Sequence, residues 1–299
     1  MSIRSGIIAL VGRANVGKSS LLNQLVGEKV TIVSPVVQTT RSIIRAVLTE
    51  SRGQLVFLDT PGMHRARHDL GRIMNKSARA SISGVDLALL ILDTSTPPRD
   101  EDTGWIRRLN KDNIPYLVVF NKTDLGTPFA DAYVQLLAPP ADAPPNPPLP
   151  SAPLQVSALT GNAIPELVTA LFERMPEGPP LFDEEMLTDF PRKLAIADVI
   201  REAYFKRLHD ELPHSLAVNI REIEEQEDCW TVSGDILVDR SSQKPIVLGR
   251  KGRLFKDVQQ KAERELSATF DIKIKLDLWV KVEPGWAKNF FLLRQLGYT

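Results

Sequence analysis

Residues Gly12 to Ser19 read G-R-A-N-V-G-K-S, with the apolar run Ile7-Ile8-Ala9-Leu10-Val11 before them and the helical spacing Leu21-Leu22-x-x-Leu25 after. Strand, glycine-bearing turn and helix, in that order, are what a phosphate-binding loop requires. Backbone N–H groups of the turn and the positive end of the helix surround an anion, and Lys18 adds a mobile point charge. Gly12, Asn15, Val16, Gly17, Lys18, Ser19 and Ser20 form this cradle, and Ser19 places a hydroxyl where Mg²⁺ would sit beside a nucleotide. The stretch implies a site for a nucleoside polyphosphate.

Composition sets the frame around it. The chain has 299 residues, 43% of them hydrophobic, which is too long for one ordinary core and suited to two domains. Basic and acidic side chains balance at 37 each, so any nucleic-acid surface must be a local patch. A single cysteine, Cys229, excludes an intrachain disulfide framework and zinc fingers; beside Trp230 in a strand-like run it reads as a core or half-buried strand residue. The apolar run after Arg4 leads straight into the loop and is expected to be a strand, not a signal peptide. No apolar run approaches the length needed to span a bilayer. A cytosolic location follows as the expectation, with peripheral attachment to the inner face of the cell membrane left open.

Further along, Ser34-Pro35-Val36-Val37-Gln38-Thr39-Thr40-Arg41 reads as a loop that ends in an alternating strand from Ile43 to Leu48. A threonine hydroxyl in such a loop can close over a γ-phosphate and complete a Mg²⁺ shell. Gln54 to Asp59 is an apolar strand ending in a carboxylate, followed by Thr60-Pro61-Gly62. Asp59 is a poor choice for packing alone and makes sense facing a metal or its water shell, with the Gly62 N–H available to a terminal phosphate.

Residues 69–82 are helix-compatible, Val85 to Leu92 is a buried strand, Glu101 to Asn110 a helix, and Ile114 to Phe120 another buried strand. That strand ends in Asn121-Lys122-Thr123-Asp124. The Asp124 carboxylate can accept from N1–H and the exocyclic amino group of guanine, which adenine does not supply. Asn121 can tie the base loop to the phosphate loop, and the Lys122 stem can cover the ring. Residues Ala138 to Pro153 hold eight prolines and read as a surface insertion. A strand resumes at Leu154, Ser157-Ala158-Leu159 offers N–H groups to the guanine carbonyl, and a helix from Asn162 to Met175 closes the domain. Alternating strands and helices argue a three-layer α/β domain with a mostly parallel sheet over residues 1–180.

Residues 181–299 differ in pattern. A helix is expected from Lys193 to Leu212, and Leu216 to Glu224 pairs with Trp230 to Asp239 as an antiparallel hairpin. Ile246-Val247-Leu248 precedes Gly249-Arg250-Lys251-Gly252; a helix from Leu254 to Leu266 and a strand from Ile272 to Val282 follow. Between Arg240 and Lys256 stand six basic residues and no acidic one. Such a run is a candidate phosphate-backbone footprint, with Lys244, Arg250, Lys251, Arg253 and Lys256 as cations, Gly249 and Gly252 opening the main chain, and Ile246 to Leu248 as an apolar floor for bases. A basic helix cap is the plainer reading of G-x-x-G alone.

Taken together, G-R-A-N-V-G-K-S, the Thr39-Thr40 loop, D-T-P-G, N-K-T-D and S-A-L resemble the five nucleotide-binding motifs of translation-factor-related GTPases. Gln38-Thr39-Thr40-Arg41, Ser242 to Gly252 and the Trp286 to Tyr298 tail are similar to the Era family of ribosome-assembly GTPases. The resemblance implies a P-loop GTPase domain followed by an α+β type II KH domain, which grips about four single-stranded nucleotides at its G-x-x-G loop. It implies GTP or GDP and Mg²⁺ as ligands, with Lys18 on the β- and γ-phosphates, Ser19 and Thr40 on the metal, Asp59 on its water shell and Gly62 on the γ-phosphate. Thr39 competes with Thr40 for the metal. Met63 stands where Ras-like enzymes carry a water-orienting glutamine, so slow intrinsic hydrolysis is expected. His64 reads as a switch-loop residue. Asn15 resembles the asparagine that holds K⁺ beside the phosphates in related enzymes; an asparagine that only caps its own loop is the alternative.

The expected function is a monomeric GTP-hydrolysing switch that binds 16S rRNA near its 3′ end and assists 30S subunit assembly. Two other readings compete. One is a GTPase of membrane-associated or tRNA-modification processes, which leaves G-x-x-G without a use. The other is an RNA-binding protein with a vestigial nucleotide site, which leaves the intact phosphate and guanine motifs unexplained.

Overall fold

The computed structural model describes residues 2–31, 44–59, 84–138, 152–208 and 215–298. The helix expected over 69–82 and nearly all of the proline-rich insertion lie outside these residues. The chain divides into two compact units, with the division between Asp189 and Phe190.

The first unit is built on a six-stranded sheet in the order β2-β3-β1-β4-β5-β6. Its strands are β1 (Arg4–Val11), β2 (Ile44–Glu50), β3 (Gly53–Asp59), β4 (Leu87–Asp93), β5 (Tyr116–Asn121) and β6 (Leu154–Gln155). Only the β2–β3 pair is antiparallel. The near-continuous apolar runs have a simple cause. Side chains alternate sides along a strand, and here both sides are covered. Ile8, Leu10, Leu87, Leu89, Ile91, Leu117 and Val119 pack beneath α1 (Lys18–Val26) and a later helix, Ile164–Arg174. Ala9, Val11, Ala88, Leu90, Leu92, Val118 and Phe120 pack on the opposite side with α2 (Asp100–Lys111) and α3 (Ala130–Leu137). The three-layer expectation is met.

Helix α2 shows how local sequence sets an element's ends. Asp100, Glu101 and Asp102 lie at its positive end and Arg108 and Lys111 at its negative end. Asp102 also accepts from the Arg99 N–H at 3.0 Å, satisfying one of the free donors of the first turn. In α4 (Ile164–Arg174), Ile164, Leu167, Val168, Leu171 and Phe172 follow one helical stripe and are all buried.

The stretch after Pro180 belongs to the first unit, and so the division falls later than the boundary expected at residue 180. Gln54 on β3 is fully buried, and its Oε1 accepts from the N–H groups of Leu181 and Phe182 at 2.8 and 2.9 Å. Leu187 accepts from the Val47 N–H, Thr188 donates its hydroxyl to the Arg45 carbonyl at 2.6 Å, and Asp189 pairs with Arg45. The acidic segment Asp183 to Asp189 is thus fastened along the β2 edge of the sheet.

The second unit runs α5 (Arg192–Phe205), β7 (Leu216–Glu225), β8 (Cys229–Val238), α6 (Lys244–Leu248), α7 (Arg253–Phe270) and β9 (Lys273–Val282). The sheet order is β7-β8-β9, with β7–β8 antiparallel and β8–β9 parallel. Helix α5 ends at Phe205, short of the expected Leu212; residues 209–214 lie outside those described. Cys229 is half-buried at the start of β8, as its strand context implies. Strand β9 alternates strictly, burying Ile274, Leu276, Leu278 and Val280 in the core. After it, the buried Trp286 donates from Nε1 to the Ser215 carbonyl at 3.2 Å. Its ring lies 6.1 Å from that of Tyr298, which follows the short helix α8 (Phe290–Gln295).

Candidate nucleotide site and nucleic-acid interface

The nucleotide motifs lie at the carboxyl ends of β1, β3 and β5, around the central strand β1, where β3 and β4 depart on opposite sides. Such a reversal in strand order opens a crevice in α/β sheets. Gly12 to Gly17 turns from β1 into α1, whose first residue is Lys18. The Lys18 ammonium is buried and donates to the carbonyls of Gly12 (3.2 Å) and Arg13 (3.0 Å). Burial pushes its pKa down to about 8; Asp59 opposes that shift and Arg13 adds to it. Ser20 is half-buried on the first turn of α1, and Val16 is fully buried. Asn15 is exposed, with φ 64° in the left-handed region that asparagine tolerates better than most side chains. That conformation accounts for an asparagine without any cation.

Ser19 donates its hydroxyl to Oδ2 of the buried Asp59 at 2.9 Å. A hydroxyl beside a carboxylate is a hard-oxygen set of the kind Mg²⁺ prefers. Among the described residues, no three or more His, Cys, Asp or Glu side chains gather into a metal cage. The pair therefore fits an ion that draws its other oxygens from nucleotide and water. Gln38, Thr39, Thr40, Gly62, Met63 and His64 lie outside the described residues.

On the base side, Asn121 is buried at the end of β5. Its Nδ2 donates to the Val16 carbonyl at 2.8 Å, and its Oδ1 accepts from the Ala158 N–H at 3.0 Å. One side chain thereby joins the phosphate loop, N-K-T-D and S-A-L. A Cβ on Gly17 would sit 2.3 Å from that Nδ2, so only glycine permits the approach. Asp124 is exposed, with Oδ1 accepting from the Ser157 hydroxyl at 2.5 Å, which orients the carboxylate. Thr123 donates both its N–H and its hydroxyl to the Val156 carbonyl, fixing the turn between them. Leu159 is exposed, and Lys122 has φ 65°.

The fold brings to this site two residues that no motif marks, Arg13 and Asp93. Arg13 is buried, with Nε 3.2 Å from Asp102 Oδ2 and an amino group donating to the Thr96 hydroxyl at 2.6 Å. Asp93, at the end of β4, accepts from Lys122 Nζ at 2.8 Å. A signal for Asp93 was present: it closes the run Leu87-Ala88-Leu89-Leu90-Ile91-Leu92 as Asp59 closes β3. Arg13 carried no such signal, since a loop arginine is ordinarily a surface residue.

In the second unit, Lys244 opens α6, and Gly249-Arg250-Lys251-Gly252 turns into α7 at Arg253. Lys244, Arg250, Lys251, Arg253 and Lys256 are all exposed, and among the described residues no carboxylate lies within ion-pair distance of them. Gly249 (φ 72°, ψ 176°) has a conformation essentially restricted to glycine, and a Cβ there would meet Leu254 Cβ at 2.5 Å. Lys251, within the turn, has φ 53°. The expected apolar floor needs correction. Val247 is fully buried in the core and Leu248 packs against it, because Ile246 to Leu248 form a helical turn and not an extended strip. Ile246 alone of the three is exposed.

Known proteins share both regions. A family profile described as 50S ribosome-binding GTPase matches residues 7–122, and one described as KH domain matches residues 211–287. GTPase Era of Carboxydothermus hydrogenoformans is 40% identical, with 100% of this chain and 99% of that protein covered. GTPase Era of Geotalea daltonii is 37% identical, with 98% and 97% covered. A crystal structure of Era in complex with MgGDPNP and nucleotides 1506–1542 of 16S ribosomal RNA matches with a TM-score of 0.90 at 34% identity, covering 99% of each chain. A single-residue variant of Aquifex aeolicus Era bound to GDP and AlF₄⁻ matches at the same TM-score and identity over 99% of this chain and 100% of that one. Likeness at this level across the whole of both chains places this protein in the GTPase Era family.

Proposed function

We propose that this protein hydrolyses GTP to GDP and phosphate and binds 16S rRNA near its 3′ end, assisting assembly of the 30S subunit. The observation that carries this reading is the match to the Era–MgGDPNP–16S rRNA complex, which spans 99% of both chains and so includes both the nucleotide loop and the G-x-x-G turn. The buried Asn121 bridge supports it, because it ties a phosphate loop to a guanine-reading motif in the same crevice.

The reaction is attack of water on the γ-phosphorus, where positioning and charge neutralisation supply most of the rate. Lys18 takes the β- and γ-phosphates, and the N–H groups from Gly12 to Ser20 surround them. Asp124 reads the guanine edge, the Ala158 and Leu159 N–H groups its carbonyl, and Lys122 covers the ring. Ser19 and Thr40 are assigned to Mg²⁺ directly and Asp59 through water; the ion, when bound, spreads the charge that develops on the phosphate oxygens. Thr40 and Gly62 are assigned to the γ-phosphate side on the family pattern.

In the second unit, the five exposed cations displace counterions from RNA phosphates, and Gly249 and Gly252 let the backbone come close. The compartment this function requires is the cytoplasm, and no described helix is long and apolar enough to cross a membrane. Crosslinking of the intact protein to cellular RNA, with and without GTP, tests the reading. Enrichment at the 3′ region of small-subunit rRNA is expected; crosslinks spread evenly over cellular RNA overturn it.

A further inference from the structure

Asp93 occupies a place between two loops that sequence separates widely. It is 4% exposed, and each carboxylate oxygen is engaged. Oδ1 accepts from the Ser95 N–H (3.1 Å) and the Ser95 hydroxyl (2.5 Å). Oδ2 accepts from Lys122 Nζ at 2.8 Å and lies 3.8 Å from an Arg13 amino nitrogen. Lys122 belongs to the base-reading motif; Arg13 belongs to the phosphate loop, and its carbonyl also holds Lys18. Arg13 is anchored a second time by Asp102, which accepts from the Tyr133 hydroxyl at 3.1 Å.

A carboxylate removed from water is costly unless it is paired and hydrogen-bonded. Here the pairing draws one cation from each loop onto one oxygen. The two cations would otherwise repel, and among the described residues Asp93 is the carboxylate in ion-pair reach of Lys122. Arg13 keeps Asp102 when Asp93 is lost, whereas Lys122 keeps no such anchor among the described residues. Removing the charge therefore frees the lysine first.

We propose that Asp93 is a positioning residue for nucleotide binding: it holds the Lys122 amine so that the stem lies across the guanine ring, and it ties that lysine to the phosphate loop through Arg13. This rests on the reading of the crevice as a guanine-nucleotide site. It makes base binding depend on a side chain that touches neither base nor phosphate. Because Asp93 faces no reacting atom, its loss weakens ground-state binding of GDP and GTP alike and leaves the chemical step at saturation in place.

The test is a double-mutant cycle on the full-length protein, read by mant-GDP affinity and by single-turnover GTP hydrolysis at saturation. D93N and K122M are each expected to weaken mant-GDP binding about tenfold, as loss of a charged hydrogen bond would. The double variant is expected to be no weaker than the worse single one, since both remove one interaction. Saturated hydrolysis by D93N should stay within about twofold, since no interaction specific to the transition state is lost. Additive losses, unchanged affinity in D93N, or a fall in saturated hydrolysis without a loss of affinity would overturn the proposal. If D93N does not fold, S95A in the same cycle loosens Asp93 without removing its charge, and additivity with K122M again overturns it. Failure of the wild-type protein to bind mant-GDP would sink the guanine-site reading itself, an outcome distinct from wild-type binding with an unaffected D93N.

Discussion

Asn121 and Val16 are 105 residues apart in sequence, yet the Asn121 amide donates to the Val16 carbonyl at 2.8 Å inside the protein. With the return bond from the Ala158 N–H, one side chain ties the phosphate loop to the base loops. An Asn121→Ala change leaves a buried carbonyl and a buried N–H without partners, which costs about 2–3 kcal/mol. If that cost falls on the bound state, guanine-nucleotide affinity drops about 30- to 150-fold. Equilibrium titration with mant-GDP checks it, and a loss under about threefold would mean that the loops hold together without the bridge.

Gln54 makes a comparable prediction for the segment after Pro180. Its Oε1 serves two backbone N–H groups, and its Nε2 donates to the Phe182 carbonyl and the Thr49 hydroxyl, both at 3.0 Å. Gln54→Leu should destabilise the first unit by about 2–3 kcal/mol, the cost of stranding buried backbone groups. It should also expose residues 181–189 to protease. Denaturant unfolding and limited proteolysis measure the two effects, and a variant as protease-resistant as wild type would refute the fastening role.

Lys251 is a clean probe of the G-x-x-G turn, since its side chain is exposed. K251E is expected to weaken RNA binding and to flatten the slope of log affinity against log salt by about one unit, the signature of a lost phosphate contact. GTP hydrolysis in the absence of RNA should be unchanged. A matching loss of hydrolysis would break the division of labour between the two units.

Asn15 separates two readings of one residue. Its left-handed backbone already accounts for an asparagine at that position. A K⁺ ion held there would make hydrolysis faster in K⁺ than in Na⁺ buffers, and Asn15→Gly would abolish the difference while keeping the turn. Equal rates in the two salts leave Asn15 as a turn residue only.

Much of this architecture was legible because the signals are local. The apolar runs of β1, β4 and β5 announce burial on both sides, and the β7–β8 hairpin and strand β9 announce themselves by alternation. Motifs that take their meaning from a strand end, such as Gly12 to Ser19 and Asn121 to Asp124, were readable for the same reason. The apolar floor before Gly249 was misread because three consecutive apolar residues look alike in an extended strip and in one helical turn. Only the tertiary packing, with Val247 inward and Ile246 outward, distinguishes them.

What the sequence alone determined is therefore the chemistry on offer: a glycine-bearing loop between strand and helix, a carboxylate in N-K-T-D at a strand end and a basic glycine turn. The tertiary structure alone decided which side chains depend on one another. Asn121 meets Val16, Asp93 stands between Lys122 and Arg13, and Gln54 fastens the segment after Pro180. Each is a buried polar group whose partner lies far along the chain. Periodicity and local motifs report which residues face inward, but the need to satisfy a buried hydrogen bond is met wherever the fold brings a partner.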